Sequence, residues 1–325
     1  MKIGFFETKN WEVEYLKAKL PSHQLVFNPG FIDKNNLPNE RDFDIVSIFT
    51  DSKIDNSVIA ALPNLKLIAT RTTGIDHIDP KATKARNISV KNVPTYGENT
   101  VAEYTFALLL NLSRKISKAI DKVKEKGSFS SEGIEGFDLL GKTLGVVGTG
   151  HIGQHVIKIA SGFEMKVIAF DAFPNNELST KLNFQYVNLE TLLRTSDIVT
   201  LHVPYLPTTH HLINNDNIGF FKKGAILINT ARGSIVETEA IVKALADGTL
   251  GGVALDVLEE ETALKNAKQL ILERELDDKD LRTIIENHVL IDMENVIITP
   301  HNAFNSREAL TRILNTTTEN ILSVQ

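Results

Sequence analysis

Short apolar runs alternate with amphipathic stretches in the first ninety residues of the chain. The apolar runs occupy residues 3–6, 24–27, 45–49 and 67–70. Apolar side chains at helical spacing occur between them, at 11–20 and 58–62. Uninterrupted apolar runs are typical of strands buried on both faces, and parallel strands need a crossover connection, usually a helix. The pattern therefore predicts a small α/β domain built on a parallel sheet.

A second region of the same kind begins near residue 142. Its six strand candidates lie at residues 144–147, 167–170, 198–201, 225–229, 252–255 and 296–298. Six strands suit a doubly wound dinucleotide-binding sheet. The pattern also predicts a final helix at 306–324.

Two connecting segments stand out between and within these regions. Thr100 and Glu103 form a capping-box pattern, which predicts one long helix from Thr100 towards Lys126. The charged stretch between Glu260 and Glu294 is too long for an ordinary connection, so residues 263–276 and 279–288 are predicted to be helical.

A glycine fingerprint, G-x-G-x-x-G, joins the strand candidate at 144–147 to the following helix. Gly148 suits the tight turn, Gly150 lets backbone approach a pyrophosphate, and Gly153 allows close packing of helix on strand. The next strand candidate ends in Asp171, near the spacing expected of a carboxylate that binds a ribose diol. Because no arginine follows Asp171 closely and its charge repels a 2′-phosphate, the sequence predicts NAD rather than NADP as cofactor.

Three polar side chains that could carry chemistry follow later strand candidates. Arg232 has a planar donor fork suited to a carboxylate, and a paired Glu261 and His301 would suit proton transfer near neutral pH. A surface arginine, a capping histidine and a solvated acidic run remain the alternatives for these residues. With a nicotinamide cofactor inferred, the combination indicates hydride transfer to a carbonyl beside a carboxylate.

Composition narrows the class of protein. The chain has 325 residues, 42% of them hydrophobic, and a net charge of −6 from 35 basic and 41 acidic residues. We therefore expect two domains, and neither a nucleic acid nor a membrane as partner. With no cysteine in the sequence, we expect no thiolate metal site, no metal at all, and a cytoplasmic location.

Seven ordered motifs identify the chain as similar to a known family, the NAD-dependent D-2-hydroxyacid dehydrogenases, over essentially its whole length. They are RTTGIDHID (71–79), NVP (92–94), the glycine fingerprint (148–153), HVP (202–204), NTARG (229–233), ALD (254–256) with Glu261, and TPH (299–301). The resemblance implies two Rossmann-like, doubly wound domains, with the nucleotide-binding domain inserted into a discontinuous catalytic domain. It places the catalytic domain at 1–99 and 300–325, and the NAD-binding domain at 100–299.

The resemblance also implies residue roles. His301 would be the general acid and base, Glu261 would orient it, and Arg232 would bind the substrate carboxylate and polarise the carbonyl. The cofactor-binding residues would be Gly148, Gly150, His151, Ile152, Gly153, Asp171, His202, Val203, Pro204, Thr209, Thr230, Ala231 and Asp256, the last on the nicotinamide amide. The substrate-binding residues would be Thr73, Gly74, Ile75, Tyr96 and Arg232, with Phe5 and Phe49 as an apolar wall.

Tyr96 refines the prediction within the family. A tyrosine at this place is similar to the D-lactate and D-2-hydroxyisocaproate dehydrogenase branch, which favours reduction of pyruvate to D-lactate by NADH. The family resemblance as a whole implies a homodimer built on the helix from Thr100. A packed aromatic at the hinge is the alternative for Tyr96. A phosphorylated substrate would need further cations, for which Lys53 and Arg71 are the candidates. A D-2-hydroxyisocaproate-like enzyme, a glycerate or hydroxypyruvate enzyme and a non-catalytic NAD-sensing regulator remain alternative functions.

Overall fold

The computed structural model describes residues 1–261 and 278–324, with only the backbone at 278–280. The chain divides into two compact units, Met1–Tyr96 with Asn305–Gln325 (unit 1) and Gly97–Phe304 (unit 2). The domain bounds expected from the sequence, after residues 99 and 299, lie a few residues from the points where the chain passes between the units, after Tyr96 and Phe304. The predicted helix at 263–276 lies outside the described residues. Across the described ranges, no helix is long and apolar enough to cross a membrane.

Strands and helices alternate through both units. The strands are β1 (Lys2–Phe5), β2 (Gln24–Phe27), β3 (Ile45–Ile48), β4 (Leu67–Thr70), β5 (Ser89–Lys91), β6 (Thr143–Val147), β7 (Lys166–Phe170), β8 (Gln185–Tyr186), β9 (Ile198–Leu201), β10 (Ala225–Asn229), β11 (Leu250–Leu255) and β12 (Val296–Ile298). The helices are α1 (Asn10–Lys19), α2 (Asn56–Ala61), α3 (Pro80–Ala85), α4 (Glu98–Arg114), α5 (Ile116–Lys124), α6 (His151–Gly162), α7 (Asn176–Leu182), α8 (Leu189–Thr195), α9 (Thr238–Ala246), α10 (Asp278–Asp292) and α11 (Arg307–Leu322).

Unit 1 is a parallel sheet in the order β2-β1-β3-β4-β5 with helices on both faces. One face is packed with apolar side chains that include Val46, Ile59 and Ile68. On the other face Leu16 of α1 and Leu314 of α11 share one core with Phe5. The C-terminal helix therefore completes the core of the unit that the N-terminal residues begin.

Unit 2 is a parallel sheet in the order β12-β11-β10-β9-β6-β7-β8. The chain leaves β6 in one direction through β7 to β8, and returns to the other side of β6 with β9. This reversal is the topological switch point at which doubly wound sheets bind ligands, beyond the carboxyl ends of the strands. The predicted fold class, two Rossmann-like parallel-sheet domains with the second inserted into the first, is confirmed.

The helix predicted from Thr100 to Lys126 is wrong in two respects. It begins at Glu98, with Gly97 as N-cap, so Thr100 lies inside the first turn and no capping box forms there. It also stops at Arg114, because Lys115 takes the left-handed conformation (φ 51°) and α5 starts afresh. The Asn111 side chain accepts from the Ser117 N–H at 2.8 Å and so caps the new helix across the break.

Two strands were not predicted, β5 and β8. Both lie at the edges of their sheets and are only three and two residues long. An edge strand has one neighbour and a partly solvated face, so it can form without the continuous apolar run of a central parallel strand, and the sequences SVK of β5 and QY of β8 contain no such run.

Candidate active site

The glycine fingerprint forms the turn between β6 and α6. Gly148 has φ +95°, and a Cβ there would lie 2.7 Å from the carbonyl oxygen of His202. A Cβ on Gly153 would lie 2.1 Å from the Gly148 carbonyl oxygen, so only glycine permits this packing of α6 on the strand. The Cβ position of Gly150, the N-cap of α6, faces open space within the described structure, and no side chain caps the helix. An uncapped N-terminus with open approach fits the diphosphate of a dinucleotide.

Asp171 follows β7 and is held against this turn. One carboxylate oxygen accepts from the Thr149 N–H (2.7 Å) and hydroxyl (2.8 Å), and the other accepts from the Phe173 N–H at 2.9 Å. Partial burial raises the pKa of Asp171, but these hydrogen bonds outweigh it and leave the pKa below its ordinary value. The carboxylate is therefore ionised at neutral pH and fixed in direction, as a ribose-binding acid needs to be.

Replacing Asp171 with Ser should relax cofactor choice. Because the ionised carboxylate repels a 2′-phosphate, we expect the wild-type preference for NADH over NADPH in kcat/KM to fall by roughly 100-fold, or about 2.7 kcal/mol, in Asp171→Ser. Steady-state kinetics with both cofactors measures this change. Asp216→Ser, at an exposed site on another loop, is the control; an unchanged NADH preference in Asp171→Ser contradicts the assignment.

Strands β10, β11 and β12 end side by side. Asn229 is paired with Leu255 and Leu255 with Ile298 in the strand register. The residues that follow these three strands therefore emerge along one edge of unit 2. This register brings the predicted catalytic segments together although they are distant in sequence.

Arg232 leaves the end of β10 in a turn held by Asn229. The Asn229 side chain accepts from the Ala231 N–H at 3.0 Å and donates to the Arg232 carbonyl at 2.8 Å. Arg232 is half-buried, and its Nη1 donates to the Ala231 carbonyl at 2.8 Å. The backbone that carries the guanidinium is thus fixed on both sides by one amide.

Asp256 follows β11 and ties down the loop that carries His301. Its buried carboxylate accepts from the Thr299 hydroxyl (2.5 Å) and from the N–H groups of Asn302 and Ala303 (both 2.8 Å). Burial raises the pKa of Asp256, and these hydrogen bonds only partly offset it. His301 has φ +51° and donates its N–H to the Asp256 carbonyl at 2.8 Å. The predicted nicotinamide contact of Asp256 stays a prediction, because the hydrogen bonds that the structure describes for its carboxylate all go to this loop.

His301 and Glu261 contact each other. His301 Nδ1 lies 3.3 Å from Glu261 Oε2, and both side chains are about a quarter exposed. With the proton on Nδ1 facing the carboxylate, Nε2 is the nitrogen available to exchange a proton with a ligand. The pair can therefore act as an oriented general acid and base.

The remaining predicted cofactor residues of unit 2 lie near the carboxyl ends of β6, β9 and β10. The His202 ring contacts Thr200 Oγ1 through Nε2 at 2.9 Å, and burial lowers its pKa to about 3, so the ring is neutral at physiological pH. The Thr209 hydroxyl donates to the Pro204 carbonyl at 2.7 Å, and Thr230 shares a hydrogen bond with Thr105 at 3.1 Å. The others are His151 and Ile152 at the start of α6, Val203 beside Pro204, and Ala231 beside Arg232.

The predicted substrate residues Thr73, Gly74, Ile75 and Tyr96 belong to unit 1. The Thr73 hydroxyl donates to the Val93 carbonyl at 3.0 Å, and the side chain of Ile75 is exposed. Tyr96 is half-buried, and its carbonyl accepts from Arg312 Nε at 2.6 Å. These contacts shape the loops but leave the substrate roles as predictions.

Two suggestions from the sequence are wrong for unit 1. Arg71, considered as a cation for a phosphorylated substrate, is 2% exposed and bonds to Glu12 at 3.1 Å and to the carbonyl oxygens of Phe6 and Glu7. Phe5, considered as a pocket wall, is fully buried and stacks on Phe27 at 5.4 Å. Both residues hold the unit together instead. Lys53 is exposed, as its charge predicts.

Sequence reasoning missed several polar residues around the site. Thr149 lies inside the fingerprint and bonds to both Asp171 and the Tyr186 hydroxyl (2.8 Å), so its position was a usable signal. Glu259 lies two residues before Glu261 in the acidic run for which the sequence leaves a solvated surface as the alternative, yet it is only 9% exposed. Over the described ranges, no group of three acidic or histidine side chains is placed to hold a metal ion.

Comparisons with known proteins agree with this geometry. Residues 106–303 match the family described as D-isomer specific 2-hydroxyacid dehydrogenase, NAD binding domain. A 2-hydroxyacid dehydrogenase homolog of Zymomonas mobilis is 37% identical over 329 residues, which cover 99% of this chain and 96% of that protein. A glyoxylate reductase of Thermofilum pendens is 39% identical over 294 residues, covering 89% of this chain and 80% of that protein.

Solved structures show the same likeness. A pyruvate reductase of Chlamydomonas reinhardtii superposes with a TM-score of 0.88 at 34% identity, covering 100% of this chain and 96% of that one. A D-lactate dehydrogenase of Aquifex aeolicus, complexed with NAD and lactic acid, gives a TM-score of 0.85 at 33% identity, covering 99% and 95%. The chain therefore belongs to the D-isomer-specific 2-hydroxyacid dehydrogenases, which are NAD-dependent oxidoreductases acting on small 2-hydroxy and 2-oxo acids.

Proposed function

We propose that this enzyme is a D-lactate dehydrogenase that reduces pyruvate to D-lactate with NADH. The observation that carries the proposal is the contact of His301 with Glu261 on the sheet edge from which Arg232 also emerges. Tyr96, and full-length likeness to structures named pyruvate reductase and D-lactate dehydrogenase, support pyruvate as the substrate.

Each member of the trio has a role that its chemistry suits. The Arg232 guanidinium binds the pyruvate carboxylate through two parallel hydrogen bonds and polarises the neighbouring carbonyl. Protonated His301 gives its Nε2 proton to the carbonyl oxygen, which becomes the hydroxyl of lactate. Glu261 keeps the ring oriented by accepting from Nδ1 and stabilises the imidazolium.

The cofactor site is proposed at the turn after β6. When bound there, NADH supplies the hydride that the carbonyl carbon accepts. The α6 N-terminus would hold the diphosphate, Asp171 the ribose diol, and the 202–209 and 230–231 segments the remainder of the molecule. Asp256 keeps the His301 loop in place through its contacts with residues 299–303.

A panel of 2-oxo acids tests the proposal. NADH oxidation is measured with pyruvate, 2-oxobutyrate, 2-oxoisocaproate, phenylpyruvate, hydroxypyruvate and glyoxylate, and the configuration of each product is determined. We expect pyruvate to give the highest kcat/KM and D-lactate as product. A preference for 2-oxoisocaproate indicates a D-2-hydroxyisocaproate enzyme, and a preference for glyoxylate or hydroxypyruvate places the enzyme with its glyoxylate reductase relative. NADH binding without turnover of any acid indicates a non-catalytic regulator.

We propose that the enzyme works as a homodimer through α5. Ile116, Ile120 and Val123 lie at i, i+4 and i+7 on this helix and are 43–46% exposed. The spacing places them on one face, which a second copy of the chain would cover. A location in the cytoplasm is proposed with it, since the cysteine-free sequence suits a reducing compartment.

Ile120→Glu tests the dimer. A buried, unpaired carboxylate is costly at an apolar interface, so we expect the variant to sediment as a monomer at concentrations where the wild type is a dimer. Sedimentation velocity at micromolar protein measures the change. Lys118→Ala, on the opposite face of α5, should remain dimeric. A monomeric wild type, or a dimeric Ile120→Glu, would refute the proposal.

A further inference from the structure

Unit 2 contains a second histidine and glutamate pair, whose glutamate lies two residues before Glu261 in the chain. Glu259 is 9% exposed, and one of its carboxylate oxygens lies 2.5 Å from His211 Nε2. Its other oxygen accepts from the Thr238 N–H (3.0 Å) and hydroxyl (2.9 Å). We propose that Glu259 and His211 are positioning residues, which hold Arg232 and Glu261 in their working places. This inference rests on the proposed roles of those two residues.

Glu259 caps a helix to which it does not belong. Thr238 is the first residue of α9, and the N-cap residue Glu237 makes no side-chain capping bond. The Glu259 carboxylate takes that place, where an anion is favoured by the free N–H groups and the helix dipole. Its own carbonyl oxygen accepts from the buried Asn287 side chain of α10 at 2.8 Å. Glu259 is thus fixed through both its side chain and its backbone, two residues before Glu261.

The turn that carries Arg232 packs directly on this anchored segment. A Cβ on Gly233 would lie 2.0 Å from the carbonyl of Leu258 and 2.4 Å from the Glu259 nitrogen. The two backbones therefore touch with no side chain between them. A shift of Glu259 would therefore move the backbone that Gly233, the neighbour of Arg232, contacts.

His211 links its own segment, residues 211–213, to the Arg232 turn and to Glu259. It has φ +48°, its N–H donates to the Ser234 carbonyl at 2.9 Å, and its ring stacks on His210 at 3.9 Å. Two residues further on, the Ile213 N–H donates to the Ile235 carbonyl, and the Glu237 N–H donates to the Ile213 carbonyl. Because of these bonds, the His211 contact with Glu259 clamps the Arg232 turn between two segments. Loss of this clamp would let Arg232 and Glu261 move away from their working positions. A displacement near 1 Å at reacting groups costs about 100-fold in rate.

Kinetics of Glu259→Ala, Glu259→Gln and His211→Asn test the inference on the acid that the wild type reduces fastest. We expect Glu259→Ala to lower kcat by about 100-fold while the NADH dissociation constant stays unchanged. Glu259→Gln should restore most of kcat, because its amide oxygen still accepts from Thr238 and its amide nitrogen can donate to His211. His211→Asn, which leaves the helix cap intact, should lower kcat by about tenfold.

Asn188→Ala is the matched control, since it removes the side-chain cap of α8 in the same unit. If Glu259→Ala and His211→Asn keep kcat within twofold of this control, the inference is wrong. It is also wrong if Glu259→Gln loses as much kcat as Glu259→Ala, because geometry is then not the cause. If Glu259→Ala does not fold, His211→Asn decides alone.

Hydrogen exchange separates this inference from the proposed function. We expect faster exchange at residues 230–238 and 256–261 in Glu259→Ala and His211→Asn, and wild-type exchange there in Asn188→Ala. This holds whether or not a 2-oxo acid is turned over. Faster exchange without any turnover in the wild type rejects the proposed function alone, and unchanged exchange with an active wild type rejects the positioning role alone.

Discussion

His301→Gln is expected to lower kcat for pyruvate reduction by roughly 10³-fold, within the range that general acid catalysis contributes. Glutamine fills similar space and can still contact Glu261, but it cannot deliver a proton to the developing alkoxide. NADH binding, followed by nicotinamide fluorescence, should be unchanged, because the loss lies in the reaction step. Steady-state kinetics together with the fluorescence titration makes the measurement.

His288→Gln provides the control for His301, because that histidine is exposed on α10. It should keep the wild-type kcat. A His301→Gln enzyme that stays within tenfold of the wild type would show that another group supplies the proton. Glu261→Gln should fall between the two, since it weakens the orientation of the ring and the stabilisation of its charge without removing the acid.

Arg232→Ala is expected to lower kcat/KM for pyruvate by roughly 10³-fold, or about 4 kcal/mol, with both a higher KM and a lower kcat. The change removes a fixed cation and leaves the substrate carboxylate unpaired in a partly buried site. Arg232→Lys keeps the charge but not the planar fork, so it should recover only part of the loss. Kinetics over a range of pyruvate concentrations separates the two parameters.

Arg194→Ala is the matched control for Arg232, because Arg194 is an exposed arginine of unit 2 that pairs with Glu190 at 2.9 Å. It should behave as the wild type. An unchanged KM for pyruvate in Arg232→Ala would contradict the carboxylate-binding role, whatever the effect on kcat.

The central strands were predictable because their signal, an uninterrupted apolar run, lies within the strand's own residues. The runs at 67–70, 198–201 and 225–229 coincide with β4, β9 and β10, since a strand covered on both faces needs apolar residues throughout. The edge strands β5 and β8 carry no such run. The break between α4 and α5 at Lys115 could not be predicted, because no glycine or proline marks it. The Asn111 side chain caps α5 there instead.

Charge alone gave a wrong prediction for Arg71, because the burial of an arginine decides whether it can bind a ligand. Arg71 has the same donor fork as Arg232, yet it lies in the core of unit 1, paired with Glu12 from 59 residues away. Arg71 directly follows β4 and Arg232 lies three residues after the end of β10, so a position beyond a parallel strand does not by itself separate them. The structure separates them: α1 packs over Arg71 and supplies its partner Glu12, whereas Arg232 is only half-buried beyond the carboxyl end of β10.

The sequence by itself determined the parallel α/β class, the glycine turn and the identity of the three catalytic candidates, because periodicity, small residues and motif order are properties of short segments. The tertiary structure alone decided which of these side chains meet. The 3.3 Å contact of His301 with Glu261 depends on the alignment of β11 and β12, and the Glu259 contacts with His211 and Thr238 join residues 48 and 21 positions apart. Contacts of that separation are set by sheet register and helix packing, and neither is encoded in any single stretch of the chain.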